Sequence, residues 1–488
     1  MPALRGLRLR NICHFATSIA AVALVFASVV LTCSQPAHAL PAFARKYGLR
    51  CSACHESWPM LNYFGQKFKD NGYQLMNDRD APIWQNPGYW PVTFRMTPIW
   101  HRVSTGKVLV DTYSAGGTSP SGVAIQRVTS SGFDLSGLDF HTGGTLEKNF
   151  SFYLLPSSDP TASFHFETVM ARLDNLFGSS WLNVKLGKFE LDNLLSEKRI
   201  LTLTGNGGIY QLYHFTPVND GNIFGQMGDN QLGVEVMGHS WNDRTRYSAA
   251  LLSSNDGSVQ LPDGANSYSA FFAASQAFDA GRLGVQRIGA YAFVGEAPTT
   301  WLTTGGGTTI LPGSGIGNKS FSREGFVGQF YFGQHVDLQV VTQHGEDNAW
   351  FGQGYGDFIG GTVTGNNTTG TVLPAGSRNP TWNGVLLEPH YVYSPQLIFI
   401  GRFETIRMSQ QANGAGYAGV GGPSASNLGN ISTYTVGYRY NPFMTSRAGF
   451  AWHNEYNWLH QDGTGPTLGL NSANINTSEL LLGFDFDF

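Results

Sequence analysis

The last nine residues of the chain alternate between two kinds of side chain. Leu480, Leu482, Phe484, Phe486 and Phe488 are interleaved with Leu481, Gly483, Asp485 and Asp487. A strand repeats every two residues, so each set occupies its own face. An apolar face opposite a largely polar one predicts a strand lying between lipid and a lumen. Working backwards, alternation, β-branched or aromatic content and flanking turn residues predict sixteen such segments. They are Pro91–Val103, Phe133–Thr145, Phe150–Pro156, Phe164–Leu176, Trp181–Leu191, Gln231–Trp241, Thr245–Asn255 and Ser267–Phe278. The remainder are Leu283–Ala297, Ser322–Gly333, Val336–Asp347, Thr381–Ser394, Leu397–Ser409, Ile431–Phe443, Arg447–His460 and Ser478–Phe488.

The connections between them alternate in length. Ser104–Gly132, Asp192–Asn230, Pro298–Phe321, Asn348–Pro380, Gln410–Asn430 and Gln461–Thr477 are long. Asn242-Asp243-Arg244, Gln334-His335 and Pro395-Gln396 are short. Bacterial barrels carry short periplasmic turns and long extracellular loops, so this phase predicts that both ends of the barrel are periplasmic. The connection after Pro156 is the exception, short where a long loop is expected. Asp192–Asn230, with Tyr210, Tyr213 and His214 inside it, follows the fifth strand. It is read in two ways, as a lumen-facing partner surface or as an ordinary surface loop.

Composition fits that picture. Gly 61, 13% aromatic and 13% charged residues set the chain apart from a soluble domain, in which about 25% of residues are charged. A net charge of −4 points to no nucleic-acid partner. Beyond the N-terminal region no apolar run approaches the ~20 residues of a membrane helix. Any membrane passage must then be a closed barrel.

The N-terminus reads as an export signal over residues 1–39. Arg5, Arg8 and Arg10 precede the apolar run Ile19–Leu31, and Ala37-His38-Ala39 offers a small-x-small cleavage pattern. A lipoprotein signal ending at Cys33 is the rival, disfavoured by Thr32 before it. Cleavage before Leu40 removes Cys13 and Cys33, so Cys51 and Cys54 remain and no structural disulfide is expected.

Those two cysteines form Cys51-Ser52-Ala53-Cys54-His55, the attachment pattern of a c-type haem. The thiols bond to the porphyrin and the imidazole ligates iron. No second cysteine pair exists to complete a zinc site. Residues 40–90 are thus expected to be a small helical c-type cytochrome segment plugging the lumen, and 91–488 the barrel. Within the plug, Trp58-Pro59 is expected to open a helix carrying an apolar stripe of Leu61, Phe64 and Phe68, with Gly72 as its stop. A fragment this short cannot bury a haem alone. The haem is therefore expected to lean on the barrel wall. Of Met60, Met76 and Met96, Met60 is taken to lie too near His55 on one helix, and Met96 shares the lipid parity of Val92 and Phe94. Met76 is the distal-ligand candidate, with plug packing as its other reading. His101, on the lumen parity of the first strand, is the alternative ligand.

The run Leu40-Pro41-Ala42-Phe43-Ala44-Arg45, then Gly48, Cys51 to His55, Pro59, Leu61, Phe64-Gly65, Phe68 and Gly72-Tyr73 resembles the fused outer-membrane monohaem cytochrome–porin family. That resemblance implies a short N-terminal cytochrome joined to a 16-stranded antiparallel transmembrane β-barrel, all-β overall, in the bacterial outer membrane. The family includes ferrous-iron oxidases. Lys46-Tyr47 stands where many iron-oxidising members carry Gln-Thr. The expectation is an electron conduit with one covalently bound haem c. It would oxidise an extracellular donor such as ferrous iron and pass electrons to a periplasmic cytochrome or cupredoxin. In that case the chain would count as a ferrous-iron:cytochrome oxidoreductase. A terminal Phe resembles the signal read by the barrel-assembly machinery. Outward electron flow, or a transport porin with a haem-bearing gating plug, are the competing classes.

Overall fold

A computed structural model describes residues 42–487 outside 58–59, 77–79, 84, 86–90, 114–119, 159–163, 193–211, 213–226, 228–229, 254–267, 300–301, 305–306, 310–316, 348–378, 380, 409–429, 445–447 and 462–474. The export signal over 1–39 lies outside the described residues, as do Tyr210, Tyr213 and His214.

Sixteen antiparallel strands close into one barrel. They are β1 (Val92–Tyr113), β2 (Pro120–Glu147), β3 (Phe150–Ser158), β4 (Phe164–Leu173), β5 (Asn183–Glu190), β6 (Asn230–His239), β7 (Thr245–Ser253) and β8 (Tyr268–Asp279). The circuit continues through β9 (Val285–Thr299), β10 (Gly317–Phe332), β11 (Val336–Asp347), β12 (Thr381–Ser394), β13 (Leu397–Met408), β14 (Ile431–Met444), β15 (Gly449–Gln461) and β16 (Ile475–Asp487). Every strand pairs with its neighbours in sequence, and β16 returns to β1 with Leu482 opposite Trp100. Closure pairs both edges of the sheet, which is what a strand needs where no water can satisfy its backbone.

Side-chain alternation sorts the two faces. Leu173, Phe272, Phe326, Tyr434, Val436 and Trp458 are exposed on the outside. Arg172, Thr433, Thr435 and Asp485, on the opposite parity of their strands, are buried inside. The terminal strand follows the same rule, with Leu482 exposed and Leu481 and Asp485 buried. The inner wall is strongly ionic. Arg323 pairs with Asp347 at 2.6 Å and Arg402 with Glu404 at 2.8 Å. His390 bridges Asp337 and Glu388 at 2.8 Å each, and Lys185 pairs with Glu235.

All sixteen expected strands are present, and two of the expected long loops are corrected. Ser104–Gly132 is mostly strand, because β1 and β2 continue as a hairpin from Thr105↔Val128 to Tyr113↔Pro120. The Ser, Thr and Gly content of that stretch resembles a loop, whereas hydrogen bonding across the hairpin supplies the order. Likewise β9 and β10 extend into Pro298–Phe321 as far as Thr299↔Gly317.

The segment before the barrel contains α1 (Ala42–Tyr47), α2 (Cys51–Cys54) and α3 (Tyr63–Asp70). Between α2 and α3, His55–Ser57 pairs with Met60–Leu61 in a two-stranded ribbon. Trp58 and Pro59, the expected helix start, lie outside the described residues; Met60–Leu61 after them are strand, so the helix begins later than expected. Asn62 is the N-cap, since its side chain accepts from Gly65 N. The apolar stripe is corrected with it: Leu61 lies in the ribbon and Phe64 is exposed, while Gly65, Gln66, Phe68 and Asp70 are buried. Gly72 does stop the helix. It sits at φ +70°, and Tyr73 N closes back on Phe68 O at 2.9 Å.

Candidate functional site

The site is built outward from α2, one turn of helix. Cys51 and Cys54 form no disulfide and stand at i and i+3, hence on one face of the turn. His55 follows in extended conformation, its N–H bonded to Cys51 O. No residue of α2 is buried, although Cys54 is covered enough that burial pushes its thiol up to about 11. Two thiols one turn apart, followed by an imidazole on a half-buried turn, are a donor set that fits a covalently attached haem.

Neighbouring residues tie this turn to α3. Asn62 N donates to Cys54 O at 2.9 Å, and its Nδ2 donates to Ala53 O at 3.0 Å and Ser52 O at 3.3 Å. Gly65 packs so tightly that a Cβ there would stand 2.0 Å from Cys54 O.

The barrel in turn grips α3. Arg172 of β4, 1% exposed, donates to Lys69 O at 2.8 Å and Asp70 O at 2.9 Å. A cation at a helix C-terminus meets the negative end of the macrodipole. Arg172 also pairs with Asp174 at 2.8 Å. Gly72 abuts that carboxylate, where a Cβ would lie 2.2 Å from Asp174 Oδ2. Arg246 holds Asp70 at 3.0 Å and pairs with Asp243 as well. Lys69 faces Glu190 at 3.5 Å, and Tyr63 OH reaches Asn242 O at 3.3 Å. Residues 240–244 form the short turn between β6 and β7, so the plug lies at the short-turn end of the barrel.

An aromatic group fills the space between plug and wall. Phe43 stacks on Tyr73 at 4.7 Å, Phe68 meets Phe43 and Tyr47 edge-on, and Tyr73 stacks on Tyr153 of β3 at 5.9 Å. Tyr47 OH bonds Asp80 Oδ1 at 2.8 Å and Tyr73 O at 3.0 Å. Higher in the lumen, Leu212 is 1% exposed and lies against Gly384 of β12, where a Cβ would be 2.0 Å from its Cδ1. Gln343 of β11 donates to its carbonyl at 3.1 Å. Leu212 lies between β5 and β6 in sequence, yet β12 stands six strands further round, so Leu212 itself lies within the lumen. Met227, between the same two strands in sequence, shares the buried cluster with Phe68, Tyr73 and Trp382.

The remaining candidates are dispersed. Met60 is not on a helix with His55. It lies in the ribbon, 2% exposed, packed on Ile398 and Ile400 of β13, which takes it out of consideration for a reason other than the expected one. Met76 is 57% exposed at φ +60°. Met96 sits on the outward parity, between inward-facing Thr93 and Thr97. His101 faces inward with Nδ1 at 3.6 Å from Glu479. Glu56, beside His55, is held up at about 7 by burial and then by Asp337, with His390 opposing. Sequence reasoning missed Asn62 and Arg172, and gave Gly65 no role of its own beyond the resemblance. A cap residue before an amphipathic run marks Asn62. A glycine inside a helix, costing about 1 kcal/mol, marks Gly65. Nothing local marks Arg172.

No family model matches the sequence, and no curated protein matches it. Among solved structures, the chain is similar to a loop-deletion form of OmpT, an outer membrane protein of Vibrio cholerae, at 10% identity over 82% of this chain and 100% of that one, TM-score 0.45. It is similar to the anion-selective porin from Comamonas acidovorans at 12% identity over 81% and 99%, TM-score 0.43. Pseudomonas putida OprB gives 11% over 81% and 94%, TM-score 0.44. These likenesses concern barrel form alone.

Proposed function

We propose that the chain is an outer-membrane electron-transfer conduit, oxidising an extracellular donor and delivering electrons to a periplasmic carrier. The observation that carries this reading is the C-x-x-C-H turn held inside a closed barrel by a helix fixed to the wall through Arg172 and Arg246. Cys51 and Cys54 would hold one haem c and His55 would ligate its iron. When bound, that group supplies a one-electron carrier. Met76, 57% exposed, is the proposed distal ligand. His101 is the alternative.

The apolar outer face supports residence in a bilayer, and the short-turn rule puts the plug and both barrel ends on the periplasmic side. A carrier such as a periplasmic cytochrome or cupredoxin would therefore approach from the end where α3 lies. Ferrous iron is the proposed donor, through family resemblance. The barrel-assembly machinery is the proposed route of insertion for a barrel of this form.

Anaerobic titration of purified protein with ferrous iron, following the reduced haem bands, tests the reading. Reduction in wild type and its loss in the Cys51→Ala/Cys54→Ala double variant are expected. Wild-type protein that carries no haem, or that iron leaves oxidised at every pH, refutes the iron conduit.

A second reading, a transport porin gated by the plug, draws on the ionic inner wall around Arg323, Asp347, Arg402 and Glu404. Ion conductance by wild-type protein in planar bilayers would favour it.

A further inference from the structure

We infer that Asn62 is a positioning residue that fixes the thiol-bearing turn, and through it any group attached there, to the barrel wall. The inference rests on the haem reading above.

A four-residue helix is too short to be stable by itself, and its last carbonyls have no intrahelical donors. Asn62 supplies them. Its Nδ2 donates to Ser52 O and Ala53 O, and its backbone N–H donates to Cys54 O. The same side chain accepts from Gly65 N through Oδ1 at 2.9 Å, capping α3 at its N3 position. Carbonyl oxygens on one side and an N–H on the other fix the orientation of the amide. One side chain thereby ends α2 and begins α3.

Gly65 makes this possible by letting the helix backbone approach Cys54 where no larger residue fits. At the other end α3 is anchored by Arg172 and Arg246. The result is a continuous mechanical path from β4 and β7, through α3 and Asn62, to the two thiols. A haem tethered only by its thioethers would swing with the turn. Clipped to α3, Cys51, Cys54 and His55 would hold such a group in one setting relative to the wall and so limit the changes in its surroundings.

Asn62→Ser separates the two roles. A serine hydroxyl still caps Gly65 N but cannot span the two carbonyls that the amide serves. It also adds no charge, so any change in the haem is not an electrostatic artefact. The variant should keep the wild-type amount of covalent haem, because Cys51 and Cys54 are untouched, and the barrel should remain resistant to heat unfolding. Three readouts should change: the ferric spectrum, the midpoint potential, and imidazole binding, which should be about tenfold faster. Gly65→Ala should act in the same direction. If that variant fails to fold, Asn62→Ser carries the test.

Hydrogen exchange on the wild-type chain and on Asn62→Ser adds a measurement independent of haem. The amides of Ala53 and His55 are bonded within the turn, to Arg50 O and Cys51 O, and should exchange about tenfold faster in the variant. Unchanged exchange overturns the inference whether or not haem is present. Accelerated exchange with wild-type spectrum, potential and imidazole rate overturns the positioning role and leaves Asn62 a cap. Wild-type protein without haem defeats the haem reading and with it the positioning role, while the exchange result still reports on the clip.

Discussion

Replacing Arg172 with methionine tests whether the plug is fixed to the wall or merely lodged in the lumen. The substitution keeps most of the side-chain bulk and removes two donors, those to Lys69 O and Asp70 O. It also strips the cation from Asp174, a 0% exposed carboxylate that keeps its 2.6 Å bond from Ser151 Oγ. Breaking a buried pair by removing one partner costs about 3–5 kcal/mol, because the other charge is left uncompensated. The hydrogen bonds and the macrodipole contribution are part of that figure and do not add to it in full. If the cost falls on docking, local opening of the plug should rise by roughly two to four orders of magnitude. Hydrogen exchange reads this directly, through faster exchange of amides over 63–76 with strand amides of β10 to β15 unchanged. Arg172→Met/Asp174→Asn should recover much of the protection, since no charge then remains buried alone. Protection over 63–76 that is unaltered in Arg172→Met would refute the docking argument. So would equal loosening of plug and barrel, which would make Arg172 a general wall residue.

Three further outcomes are expected. Tags inserted within 348–380 or 410–430 should be labelled on intact cells and a tag at Pro395-Gln396 should not, because long and short connections lie on opposite sides. Deleting Phe488 should lower outer-membrane insertion without stopping export; normal barrel yield would speak against a terminal signal. Glu56 has its folded value raised from 4.5 to about 7 by burial, so its neutral form is favoured in the docked ribbon. Its contribution is complete below 4.5 and is lost as pH rises to about 7. In the haem-free Cys51→Ala/Cys54→Ala protein, exchange protection of residues 55–61 should therefore fall across that window, and Glu56→Gln should flatten the profile.

Much of the fold is legible in the chain because each barrel strand carries its own two-faced pattern. Val336–Asp347 and Thr381–Ser394 have the boundaries expected from alternation. The extension of β1 and β2 was not legible, since Ser, Thr and Gly make a strand only when a partner strand supplies hydrogen bonds. In the plug, spacing suggested that Leu61, Phe64 and Phe68 share a helix face. The structure instead gives Leu61 to a ribbon and begins the helix at Asn62, where a cap was available. Periodicity over eight residues is weak, and the cap decides.

Sequence alone determined what depends on neighbours along the chain: strand periodicity, the order of long and short connections, and two thiols and an imidazole within five residues. Tertiary structure decided what depends on closure. Only a closed barrel brings Arg172, 103 residues from Lys69, to the end of α3, and only closure sets Leu212 against Gly384. Such contacts join residues with no shared local pattern, the first through buried charge-assisted hydrogen bonds and the second through apolar packing. That burial exists only once the wall has closed around the plug.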